Sequence, residues 1–195
     1  PLLTSFANVF ETEPDYQPGL LHAVNDKYFE KVAAVEFTLN HDDGRNLKSL
    51  DECDVVLVGI SRTSKTPLSI FLSMEGLKVV NIPIINNIPL PENLFSIDQR
   101  KIFGLTIDPE TLREIRKNRL SRLGTRASGD YANDRKVVEE LEWANSLFEE
   151  NRRWPVFNVT NKALEETAAE IIKLLNMRSR NRFKQKKRFV TPENE

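Results

Sequence analysis

Asp54-Val55-Val56-Leu57-Val58-Gly59-Ile60-Ser61-Arg62-Thr63-Ser64-Lys65-Thr66-Pro67-Leu68-Ser69 runs from an apolar segment through a short loop into an amphipathic one. Asp54–Val58 has the continuous apolar character of a strand covered on both faces. Pro67–Glu75 reads as a helix. Gly59 to Thr66 joins them and ends in Lys-Thr, the layout of a phosphate-binding P-loop. Glycine lets the chain turn sharply off the strand. The loop N–H groups and the helix N-terminus then face an anion. Gly59, Ile60, Ser61, Arg62, Thr63, Ser64, Lys65 and Thr66 are therefore the expected nucleotide- and phosphate-binding residues. Lys65 supplies positive charge near the β/γ-phosphates and Thr66 a hydroxyl for Mg²⁺. The general pattern carries glycine where this chain has Ser64, and a left-handed φ there would cost roughly 1 kcal/mol or more. The competing reading is an ordinary strand–turn–helix connection with an incidental Lys-Thr.

The flanking sequence alternates strand and helix signals. Lys78–Ile84, Lys101–Thr106 and Trp154–Thr160 read as further strands. Ala33–Leu39, with apolar residues alternating, also suggests a strand, preceded by helical stretches at Leu20–Asn25 and Tyr28–Val32. Gly76 is a helix stop, and Asn86–Leu94 reads as a loop. Asp108 as N-cap and Pro109 at the first helical position open a helix that runs to about Leu123 and ends at Gly124. A polar loop follows over 125–133. Asp134–Glu149 places Val137, Val138, Leu141, Ala144, Leu147 and Phe148 at helical spacing. Leu164–Leu175 closes the pattern. The predicted fold is α/β and P-loop kinase-like, a largely parallel sheet flanked by helices with its ligand site at the carboxyl ends of the strands.

With 195 residues, 39% hydrophobic and 29% charged, the chain can bury a sizeable core in one or two domains. A net charge of −1 gives no global field to recruit nucleic acid or a membrane surface. Cys53 is the only cysteine, so an intramolecular disulfide is excluded and a packing role is expected. Cys53, His22 and His41 are too widely spaced to suggest zinc. No apolar run approaches the ~18 residues that a bilayer requires. Pro1 in place of Met suggests a processed or trimmed product. With no signal or transit peptide visible, bacterial cytoplasm and plastid stroma both stay open. Residues 1–18 read as a connecting segment or the end of an upstream domain, 19–177 as the catalytic domain, and 178–195 as a basic, disordered tail with seven Lys/Arg between Arg178 and Arg188. A solvated tail is favoured over a nucleic-acid-binding one.

The loop and its flanks resemble the pyruvate, phosphate dikinase regulatory protein family, which includes the phosphoenolpyruvate synthase regulatory proteins. The likeness extends from Gly19-Leu20-Leu21-His22, Val35-Glu36-Phe37 and His41-Asp42-Asp43-Gly44 to Asn81-Ile82-Pro83, Gly104–Pro109, Ile115-Arg116 with Arg119, and Glu165–Ala169. Serine at position 64 is itself common in that family. The resemblance implies a bifunctional enzyme. It phosphorylates a threonine of the dikinase (or synthase) from ADP, and removes that phosphate with inorganic phosphate, releasing pyrophosphate. It also implies a further upstream α/β region.

On that resemblance, His41, Asp42, Asp43 and Lys65 are the expected catalytic residues, and Thr66 with Asp43 the expected metal ligands. The polar turn of His41–Gly44 leaves open which Asp is the base and which binds Mg²⁺. His41 could bind phosphate or move a proton. Arg116 and Arg119, three apart on one helix, could clamp phosphates; a solvated basic face is the plainer reading. Ser128 and Tyr131 look like a family element. The partners are adenine nucleotide and the target enzyme, with a homodimer expected. Two alternatives are a small-molecule kinase of the shikimate or nucleoside monophosphate type, and a non-catalytic adenine-nucleotide sensor.

Overall fold

The computed structural model describes residues 26–122 and 133–188, together with Ala7 and Glu11. The element order is α1 (Asp26–Asn40), β1 (Val55–Gly59), α2 (Lys65–Met74), β2 (Val79–Pro83), β3 (Ile102–Thr106), α3 (Pro109–Arg122), α4 (Asp134–Glu150), β4 (Val156–Asn158) and α5 (Leu164–Arg188). Short 3₁₀ turns occupy Asp42–Gly44, Leu47–Glu52, Glu92–Phe95 and Gln99–Lys101.

The four strands are all parallel, in the order β2-β1-β3-β4. Side chains alternate across the sheet, and the core divides accordingly. Val56, Val58, Val80 and Ile82 pack with Leu112 of α3 and with Val137, Leu141, Ala144 and Phe148 of α4. Val55, Leu57, Val79, Phe103 and Leu105 pack with Leu68 and Leu72 of α2 and with Ala168 and Ile171 of α5. Every β1 side chain is buried, as its unbroken apolar run requires.

Ala33–Leu39 is not a strand. It lies inside α1, whose buried positions Ala34 and Thr38, followed by His41, recur at helical spacing. The apolar letters of that stretch misled, because Ala33 and Leu39 face outward while Val35 and Phe37 are half-buried. The end of α1 covers the open edge of β2: the Val79 N–H donates to Thr38 Oγ1 (3.0 Å) and the Asn81 N–H to the His41 carbonyl (3.3 Å).

A second correction concerns the basic segment, which is helical up to Arg188. Arg, Lys, Gln and Met are good helix formers, and no Gly or Pro interrupts them before that point. Glu92–Phe95 forms a short turn where Asn86–Leu94 suggested plain loop, and Gln99–Lys101 forms another just before β3. α3 begins at Pro109 as expected, but the Asp108 carboxylate accepts from Asn158 Nδ2 (3.0 Å). Cys53 is buried, its thiol donating to the Leu50 carbonyl (3.0 Å), and burial pushes it up to about 11. Residues 1–6, Leu20–Asn25, Gly124, Ser128, Tyr131 and 189–195 lie outside the described residues.

Candidate phosphate site

β1 ends in Gly59, where a Cβ would stand 2.7 Å from the Leu105 carbonyl oxygen of β3 and 2.9 Å from Thr63 Oγ1. Only glycine lets the loop leave the sheet so close to its neighbours. Ile60 then turns inward and is buried. Its carbonyl oxygen accepts from Thr63 Oγ1 (2.9 Å) and from Lys65 Nζ (2.8 Å). Gly59, Ile60 and Thr63 thus shape the loop from beneath, while Ser61, Arg62, Ser64, Lys65 and Thr66 line the cavity above it.

Two non-glycine residues of the loop take left-handed backbone: Arg62 (φ 75) and Ser64 (φ 59). Ser64 therefore adopts the conformation for which the general pattern uses glycine. It precedes α2 directly, and its carbonyl accepts the Leu68 N–H (3.1 Å). Lys65 is only 7% exposed. Burial lowers its ammonium to about 8, Asp43 and Asp42 oppose that shift, and Arg62 adds to it.

Thr66 Oγ1 donates to Asp42, with oxygen separations of 3.1 and 3.3 Å. Asn81, which is 1% exposed on β2, donates through Nδ2 to Asp42 Oδ1 (2.6 Å) and to Thr66 Oγ1 (3.2 Å). Its Oδ1 is buried without a hydrogen-bond partner among the described residues. The structure thus ties Thr66 to Asp42, whereas the sequence reading set Asp43 beside it. Asp43 stands exposed at the rim, with left-handed backbone (φ 56). Asp42, Asp43, Lys65, Thr66 and Asn81 all line one cavity of about 400 Å³.

His41 is not brought to this cavity. Its Nδ1 is 2.6 Å from the Phe37 carbonyl and its ring stacks on Phe37, with centroids 3.9 Å apart. The reason is that α1 continues to Asn40, which turns the His41 ring back along the helix.

Arg116 is fully buried, so the solvated-face reading fails for it. Its guanidinium grips Glu140 of α4 in a fork (2.6 and 3.2 Å) and reaches the Ser61 carbonyl at 3.4 Å. Arg119 is exposed and borders an adjoining cavity. Asn81 and Glu140 hold residues of the candidate site, and the sequence reading gave neither a role, although Asn81 stood in the Asn81-Ile82-Pro83 resemblance. The available signal for Asn81 was an amide inside an apolar strand; Glu140 gave none, being one acid among many on α4.

The sequence is similar to those of several curated proteins. A protein of Bdellovibrio bacteriovorus named as a pyruvate, phosphate dikinase regulatory protein is 51% identical over 178 residues, covering 91% of this chain and 63% of that relative. A like-named protein of Geobacter sulfurreducens is 46% identical over 175 residues, covering 90% of this chain and 65% of its own. The chloroplastic pyruvate, phosphate dikinase regulatory protein 1 of Arabidopsis thaliana is 45% identical over 186 residues, covering 93% of this chain and 46% of its own. The chain therefore spans less than two thirds of the length of these relatives. The kinase/pyrophosphorylase family pattern matches residues 1–172, and with that match, on a loop whose strand, turn and helix have the geometry described, the chain belongs to the kinase/pyrophosphorylase family.

Proposed function

We propose that this chain carries the phosphoryl-transfer centre of a bifunctional regulator of pyruvate, phosphate dikinase. It moves the β-phosphoryl group of ADP onto a threonine of the dikinase, and with inorganic phosphate it removes that group as pyrophosphate. One observation carries the reading: Lys65 and Thr66 open α2 at the carboxyl end of β1, with Thr66 held against Asp42. The names of the relatives support the target, and the family description supports paired kinase and pyrophosphorylase chemistry.

In this reading the loop N–H groups hold the oxygens of the transferred group. Lys65 has three donors and can meet a phosphate while keeping its bond to Ile60. The oxygen atoms of Thr66 and Asp42 suit a hard cation that needs one or two carboxylates. Mg²⁺ bound there would neutralise charge on the transferred group. Asp42 is tied into that corner, so the rim carboxylate of Asp43 is the one open to a threonine hydroxyl. It takes the hydroxyl proton as the threonine oxygen attacks phosphorus and the bond to the AMP oxygen breaks.

The test is transfer of label from β-labelled ADP to purified dikinase. Label on a threonine, released as pyrophosphate when phosphate is added, is the expected result. No transfer, either with this chain or with one as long as its relatives, would overturn the proposal. Labelling of a metabolite from ATP would replace it with a small-molecule kinase.

A further inference from the structure

Ion pairs divide the four arginines of α3 into two sets. Arg113 pairs with Asp134 (3.0 Å) and Arg116 with Glu140 (2.6 Å). Arg119 and Arg122 pair with no carboxylate among the described residues. They line a cavity of about 420 Å³ together with Arg62 of the phosphate loop, Ile115 and Asn118. Among the described residues no acidic side chain lines it. Arg62 and Ile115 also line the phosphate-loop cavity, so the two cavities adjoin at Arg62.

Arg62 reaches that junction from a left-handed backbone (φ 75), which is strained for a non-glycine residue. Strain of this kind persists where the geometry it produces is used. Guanidinium groups are planar forks suited to phosphate oxygens, and Arg119 and Arg122 bring two of them to this cavity beside Arg62.

We propose that the Arg62–Arg119–Arg122 cavity is a second phosphate subsite, next to the one above Lys65. The proposal rests on the phosphoryl-transfer reading above and names where the second phosphate of each reaction sits. In the kinase direction the subsite holds the α-phosphate of ADP, which departs as AMP. In the phosphorylase direction it holds inorganic phosphate. One oxygen of that phosphate bonds to the phosphorus of the phosphothreonine, the phosphorus–threonine oxygen bond breaks, and the proton of the incoming hydrogen phosphate ends on the threonine oxygen. Pyrophosphate then spans both subsites as ADP does.

The test is pyrophosphate binding to this chain by titration calorimetry, which needs no turnover. The double variant Arg119→Gln/Arg122→Gln should bind about tenfold or more weakly, the loss of at least one charge-assisted contact. Arg152→Gln/Arg153→Gln removes the same charge from an exposed turn elsewhere and should leave binding within about twofold. Unchanged affinity in the first variant, or an equal loss in both, would overturn the subsite. If the unaltered chain transfers nothing from ADP yet pyrophosphate binding follows this pattern, the subsite stands and the activity reading falls. Where phosphorolysis is measured, KM for inorganic phosphate should rise about tenfold or more in the first variant. An unchanged KM there would equally overturn the proposal.

Discussion

Lys65 Nζ donates to the carbonyl oxygen of Ile60, five residues back, at 2.8 Å. The ammonium at the floor of the cavity is thus held by the loop's own backbone, in a position that water barely reaches. Its titration is displaced from the ordinary 10.5 to about 8. Between those two values the unfolded chain holds the proton that the folded chain has lost, so stability should rise with pH across that window and be indifferent to this group below it. Phosphate binding should run the other way, because an anion favours the protonated ammonium. Pyrophosphate affinity is expected to fall as pH climbs past 8, with proton uptake on binding there. Calorimetry in two buffers of different ionisation enthalpy measures that uptake; its absence would remove Lys65 from the anion's surroundings.

Ser64 offers a test of backbone strain alone. Its φ of 59 is one that glycine adopts freely. Ser64→Gly should raise stability by up to about 1 kcal/mol, and Ser64→Val should lower it by about 1–2 kcal/mol. Urea denaturation reads both.

The two neighbouring aspartates should separate in function. Asp42→Asn disturbs the bonds to Thr66 and Asn81, and is expected to raise the Mg²⁺ concentration needed for half-maximal turnover. Asp43→Asn should leave that requirement alone and reduce turnover about 10²–10⁴-fold, as loss of a general base does. Asn81→Ala should follow the Asp42 pattern in milder form. Magnesium titrations of the three variants would show whether the corner and the rim have distinct roles.

Arg116 and Glu140 bind the phosphate loop to the α3–α4 pair. Breaking a fully buried ion pair from one side costs about 3–5 kcal/mol. The Glu140 side chain is 27% exposed, so Glu140→Ala should cost less, about 2–3 kcal/mol. Glu140→Gln keeps the shape and should cost less again. Thermal melting compares them.

How far the site could be read from sequence depended on whether the deciding force was local. The loop was legible because strand, glycine turn and helix entry are neighbours in the chain, and even the strain at Ser64 followed from the pattern. The four strands were legible from their apolar runs. Ala33–Leu39 was not, since seven residues with alternate apolar letters satisfy two periodicities, and packing of Ala34 and Thr38 chose the helix. Arg116 looked like surface charge because its burial depends on Glu140, twenty-four positions away. Asn81 meets Asp42 only because β2 lies beside β1 and the end of α1 lies on β2. Contacts made by tertiary adjacency leave no trace in spacing.

The length of α5 has its own consequence. It leaves β4 at the end of the sheet that bears the phosphate loop and returns along one face, so that Arg178 donates to the carbonyl of Arg100, just before β3 begins. At 25 residues it is about 37 Å long, roughly twice the span of a five-residue strand. The remaining turns, to Arg188, therefore leave from the opposite pole of the domain. The last turns of α5 thus lengthen the domain at the end of the sheet opposite the loop that follows β1.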